Sequence, residues 1–262
     1  MPLTTRLCPL IALALALAST RAWAVGSEQL PLSARMRPLT LPAGAIALDG
    51  ALSLHREVTP RGLLTSTLSL GASWAPTDDV ELSVTALPLT LTPRIAFGAA
   101  TPGGFTRDAS VGVRWRLTHG AAQVGFGLRA TVRGGDDATL GVDASLPAQI
   151  LLGRARLDLS LSARLELQNS VQNELSARVA LLFQATPQLS LALMTGATIC
   201  DLGRDARVPV GLAGSYAIAG SHGAPRVDVT LSVDFDRLYD ATANDLRLDV
   251  YTVTGATRFY VR

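Results

Sequence analysis

Along most of this chain, apolar residues stand at every second position. Ala155, Leu157, Leu159, Leu161, Ala163, Leu165 and Leu167 alternate with Arg156, Asp158, Ser160, Ser162, Arg164, Glu166 and Gln168. On a helix, residues two apart point about 200° apart, which would scatter these leucines to opposite sides; on a strand they share one face. The same alternation sets Val227, Val229, Leu231, Val233 and Phe235 against Asp228, Thr230, Ser232, Asp234 and Asp236. Read this way, the sequence predicts about twelve strands, near 44–55, 63–74, 79–89, 109–118, 121–133, 138–150, 154–167, 174–185, 188–197, 207–218, 225–236 and 247–262. Globular strands run about 5–6 residues, and several of these run to ten or more. Eleven residues at about 3.3 Å each, tilted near 40°, rise roughly 28 Å, the apolar thickness of a membrane.

The connections alternate in length. Ala75–Asp78, His119–Gly120, Leu151–Gly153, Thr186–Pro187 and Ala219–Ala224 are short. Thr90–Asp108, Thr198–Ala206 and Arg237–Leu246 are long, with Gly134–Asp137 the short exception on their side. Membrane barrels carry short turns at the periplasmic end and longer loops outside. The expected fold is therefore all-β: a transmembrane antiparallel up-and-down β-barrel over residues 44–262. Residues 25–43, interrupted by Pro31, Pro38 and Pro42, are expected as an irregular periplasmic lead-in. Cys200 falls in an outer loop on this scheme.

Composition narrows the picture further. Of the 262 residues, 48% are hydrophobic and only 17% charged, against about 25% charged in average soluble domains. After residue 24 no run of about 20 apolar residues occurs, which excludes a helical membrane protein. The first 24 residues read as a signal peptide: Arg6 gives the positive start, Leu10 to Ala18 the apolar stretch, and Ala22-Trp23-Ala24 the small-residue cleavage site. Cleavage leaves Cys200 as the one cysteine, so no disulfide forms within the mature chain. A net charge of +2 is too small to argue for nucleic acid.

The carboxy-terminal stretch Gly255-Ala256-Thr257-Arg258-Phe259-Tyr260-Val261-Arg262 keeps the alternation through Phe259 and Val261, although the chain ends on Arg262 rather than on an aromatic. With the signal peptide and the long alternating strands, this resembles the Gram-negative outer-membrane β-barrel proteins. The resemblance implies an outer-membrane location, lipid around the barrel and insertion by the barrel-assembly machinery. It singles out no particular porin or transporter family.

Candidate chemistry is sparse. A catalytic barrel needs a nucleophile beside an oriented His, and His55, His119 and His222 fall at an outer strand end and in two periplasmic turns. No metal-ligand spacing or phosphate-binding loop is present, so no cofactor is expected. Charge is costly on a lipid-facing surface, which sends the charged strand residues inward. These are Arg114, Arg116, Arg129, Arg133, Arg156, Asp158, Arg164, Glu166, Arg178, Asp228, Asp234 and Asp236. In a twelve-membered ring, about 24 Å across between backbones, the arginines of the fourth and fifth strands face the aspartates of the eleventh. Alternatively, the charges pair and fill the barrel. The expected function is a narrow porin-like channel for small solutes, without enzymatic activity. A non-conducting structural or adhesive barrel, and a soluble secreted β-protein, are the alternatives.

Overall fold

The computed structural model describes residues 31–57, 63–91, 94–96, 99–101, 105–134, 139–167, 173–200, 205–220, 225–241, 243–248 and 250–261. The predicted signal peptide and His222 lie outside them. Twelve long strands form the wall: β1 (Ile46–Glu57), β2 (Leu63–Thr77), β3 (Val80–Leu91), β4 (Phe105–Arg116), β5 (Ala122–Gly134), β6 (Thr139–Leu152), β7 (Ala155–Glu166), β8 (Glu174–Gln184), β9 (Leu189–Cys200), β10 (Asp205–Ala219), β11 (Pro225–Asp240) and β12 (Val250–Val261). Each pairs antiparallel with its neighbours in sequence. The ring closes where β1 meets β12, in unbroken register from Ile46 opposite Val261 to Glu57 opposite Val250. Closure leaves no long strand with an unpaired edge, the one way a sheet satisfies its backbone within lipid.

The alternation decides the two faces. Leu48, Leu52, Leu161, Leu165, Leu212 and Leu231 are among the large apolar side chains that stand exposed around the outside. The buried groups include Ser73, Glu81, Arg116, Gln149, Ser176, Ser190 and Asp228. This is a soluble protein turned inside out. Prolines stand within three of the register shifts in the ladder, Pro76 between Trp74 and Thr77 among them. Pro209 lies within the register shift between Val208 and Val210, and Pro88 within the shift between Thr85 and Leu89. Proline has no N–H to give to a partner strand, so it is tolerated in a sheet at such bulges.

At one end the connections are tight. Gly120 and Gly153 adopt positive φ there, at 92° and 57°, backbone that glycine enters without steric cost. At the other end the strands run further than the alternation suggested. β9 continues to Cys200 and β11 to Asp240, which shortens the loops expected at Thr198–Ala206 and Arg237–Leu246. Cys200 is therefore a strand residue, opposite Glu174 and Asp205, rather than a loop residue. β4 likewise begins at Phe105, and the connection before it carries a short hairpin of Arg94–Ala96 with Ala99–Thr101.

The described part of the lead-in does not stand clear of the barrel. Apart from a 3-10 turn at Ala34–Met36 it is irregular, but its polar contacts reach β3, β4, β5, β6, β7, β8, β11 and β12. A segment that touches eight strands of a closed ring lies inside it. The segment crosses the mouth at the tight-turn end, then joins β1 where Leu41 and Ala45 bury against Ala47, Ala75 and Tyr260.

The lumen as candidate functional site

The inner wall holds the segment chiefly by its main chain. The N–H of Leu39 donates to Gln123 Oε1 (2.9 Å), that of Leu41 to Glu81 Oε2 (2.9 Å) and that of Ala43 to Asp78 Oδ1 (2.7 Å). These are alternate residues, as an extended chain requires. The wall also donates in return: Gln149 Nε2 to the Arg37 carbonyl (3.2 Å), Arg114 Nη1 to that of Leu39 (3.3 Å) and Arg156 Nη1 to that of Ala34 (2.6 Å). One side chain anchors the arrangement. Arg37 forms a forked ion pair with Asp228, in which Nη2 donates to Oδ1 at 2.8 Å. Tyr260 Oη donates to the other oxygen of Asp228 at 2.5 Å, and the Arg37 guanidinium lies 5.6 Å from the Tyr260 ring centre.

Beside the segment the lumen keeps a cavity of about 780 Å³. Arg114, Arg156, Asp158, Arg178, Asp228 and Asp234 line it. Several of the inward charges pair with close neighbours. Arg156 Nη2 donates to Asp158 Oδ2 at 2.7 Å. Arg114 approaches Glu81 at 4.0 Å, and Arg116 donates to Asp79 at 3.0 Å. Asp234 accepts from Ser232 at 3.0 Å.

Higher on the wall, Arg129, Asp143, Arg164 and Glu174 stand opposite one another in turn across four strands. Arg164 Nε donates to Asp143 Oδ1 at 2.6 Å. Glu166 stands opposite Gly141 and edges a small pocket with Arg164, Thr131 and Thr139. Arg133 lies opposite Thr139 in the ladder, and its side chain is outside the described residues.

Asp236 accepts from Thr252 at 2.9 Å and lies 3.6 Å from His55, whose Nδ1 shares a 2.9 Å hydrogen bond with Thr252 Oγ1. His55 thus has cross-strand partners that sequence proximity did not reveal. The arrangement is not that of a nucleophile and its base, since the same ring nitrogen meets both Thr252 and Asp236. His119 sits in a tight turn, 2.8 Å from Asp79. Among the described residues, no three His, Cys, Asp or Glu side chains are placed to hold a metal ion.

Sequence reasoning missed the partners of the segment: Asp78, Glu81, Gln123 and Gln149. One local sign was available. Gly125 faces Leu39, and a Cβ there would come 2.6 Å from both the leucine side chain and the Trp115 carbonyl of the neighbouring strand, so the close approach of strand and segment favours glycine.

A closed twelve-stranded antiparallel ring with an apolar exterior, a charged lumen and the segment before its first strand folded into its mouth has the architecture of outer-membrane barrels. The same fold is found in an outer membrane channel from Pseudomonas putida F1, with a TM-score of 0.61 and 13% identity over 85% of this chain and 97% of that one. The KdgM porin superposes with a TM-score of 0.55 at 6% identity over 82% and 99% of the two chains. The NanC porin does so at 0.52 and 10% identity over 82% and 98%. Identities this low establish the shared fold. No family model and no curated protein matches the chain.

Proposed function

We propose that this chain is a narrow outer-membrane channel for small solutes, restricted at its tight-turn mouth by residues 31–43. The observation that carries this reading is the 780 Å³ cavity beside the segment, lined in part by charged side chains, inside a ring whose outer face is apolar. The fold shared with an outer membrane channel and two porins supports it. The signal peptide, secretion and insertion by the barrel-assembly machinery follow from the same reading. The tight-turn end faces the periplasm and the opposite end faces outward. The lumen carries no catalytic centre in this account; its charges bias which solutes enter, since low-dielectric walls focus such fields.

Planar-bilayer recording on the mature chain tests the proposal. Small, steady conductance steps are expected. Replacing Arg129 and Arg133 by Ser shifts the reversal potential toward cation selectivity, more strongly at low salt, where screening is weaker. Replacing Asp234 and Asp236 by Ser shifts it the other way. The segment itself favours one rival, a closed scaffold barrel. Absence of conductance, with these substitutions altering only the melting temperature, would establish that rival.

A further inference from the structure

The contacts that hold residues 31–43 have an unusual balance. Four segment N–H groups, those of Arg35, Leu39, Leu41 and Ala43, donate to side chains of the wall or its turns. The carbonyls of Ala34, Arg37 and Leu39 accept from wall side chains. Beside these seven main-chain groups stand three side-chain anchors: Arg37 with Asp228 and Tyr260, Arg35 with the Gly153 carbonyl, and Thr40 with the Asp78 carbonyl. A wall that binds seven amide groups reads an extended chain, with Arg37 and the buried Leu41 as the side chains it also holds.

The prolines fit this geometry. Donors to the wall come from residues 39, 41 and 43; Pro42 stands between the last two, Pro38 before the first, and Thr40 between 39 and 41. Proline has no N–H, so the face turned from the wall carries few donors that would need a partner. The acceptors Gln123, Glu81 and Asp78 come from β5, β3 and the turn before β3, and the donors Gln149 and Arg156 come from β6 and β7. They form a track across one side of the mouth. The adjoining cavity is large enough for a short peptide, since pockets of about 300–1,000 Å³ take ligands of that size. Arg178 and Asp234 both line it, which suits a solute carrying both an ammonium and a carboxylate.

We propose that the tight-turn mouth is a peptide-binding site that reads the main chain, that residues 31–43 occupy it as an internal ligand, and that short extended peptides are the solutes it accepts. Transport of those peptides rests on the channel reading; their binding does not.

The test uses the full mature chain with Arg37→Ala, which loosens the internal segment and leaves the main-chain acceptors and donors in place. Heat-modifiable migration confirms that the barrel has formed. The probe is a fluorescently labelled peptide of the sequence Pro31–Ala43, read by anisotropy in detergent. A version shuffled at every position except the prolines, Arg37 and Leu41 is expected to bind within a few-fold. A version N-methylated at the positions of Leu39, Leu41 and Ala43 loses three donors and is expected to bind at least about tenfold more weakly. Equal binding of the methylated peptide, or no binding by the folded variant, would overturn the proposal.

Should Arg37→Ala fail to fold, the wild-type chain decides. Millimolar tetra-alanine should then raise the anisotropy-detected displacement of a labelled tetrapeptide well above that caused by its N-methylated analogue or a neutral oligosaccharide. Equal displacement by all three, or none, refutes the site. Because anisotropy needs no current, a non-conducting barrel that binds peptide rejects the channel and keeps the site. A conducting barrel blind to peptide rejects only the site.

Discussion

The two ends of the lumen are built from the same strands and are organised differently. At the tight-turn end, Arg37 and Asp228 pair deep in the mouth, with side chains 15% and 11% exposed, and Glu81, Arg116 and Gln149 are buried around the segment. At the opposite end, Arg207 and Arg237 share Asp205, with Nε of Arg207 2.7 Å from it, but these side chains remain a quarter to a third exposed. Burial is what separates them. A buried pair costs several kcal/mol to break, because it leaves an uncompensated charge; the partly buried Arg207–Asp205–Arg237 group is better screened by water and lies closer to the about 0–1 kcal/mol of surface pairs. The segment therefore turns one set of lumen charges into a fixed closure and leaves the other as a wet, adjustable lining.

The largest effect is expected in the wall that both ends share. Leu161 is more than half exposed on the outer face. Replacing it by Arg near the membrane midplane should cost roughly 2–4 kcal/mol in refolding titrations. Ser162→Arg should cost far less, because Ser162 faces inward, where its hydroxyl meets that of Ser176 at 2.7 Å. Equal costs would mean the faces are assigned wrongly.

The next effect separates the two ends. Arg37→Ala should destabilise the barrel by about 3 kcal/mol, at the low end for a buried pair because Tyr260 Oη still donates to Asp228. Gly125→Leu should cost about 1–3 kcal/mol through crowding of Leu39, and should free the segment to proteolysis. Resistance of that variant to limited proteolysis would show that the segment is held without the space at Gly125. The smallest change is Arg207→Ala, expected below about 1 kcal/mol by thermal melting. A cost matching that of Arg37→Ala would erase the contrast between the ends.

The wall was legible in the sequence because its rule is local. From Ala155 to Leu167 every residue's face follows from its neighbours, and the strand found there, Ala155–Glu166, agrees closely. The twelve predicted strands all appear, with ends displaced where strands extend further than the alternation, as at Cys200. The lumen was less legible. Arg114 and Asp228 were marked as inward charges, but their partners lie far along the chain: Glu81 for Arg114, and Arg37 for Asp228. Pairing across a ring depends on register and on whatever else enters the lumen, and neither is written in the alternation. The segment shows this most clearly. Its prolines argued against regular structure, which holds, yet they gave no sign that Gln123, Glu81 and Asp78 were waiting to accept its amides.

In the proposed channel, residues 31–43 set the narrowest point of a conducting lumen. Single-channel conductance of the wild-type mature chain and of Arg37→Ala, recorded in the same bilayer and salt, tests it directly. The account predicts small steps for the wild type and several-fold larger, noisier steps for Arg37→Ala as the segment leaves the mouth. Identical conductance in the two, with Arg37→Ala folded, would contradict it.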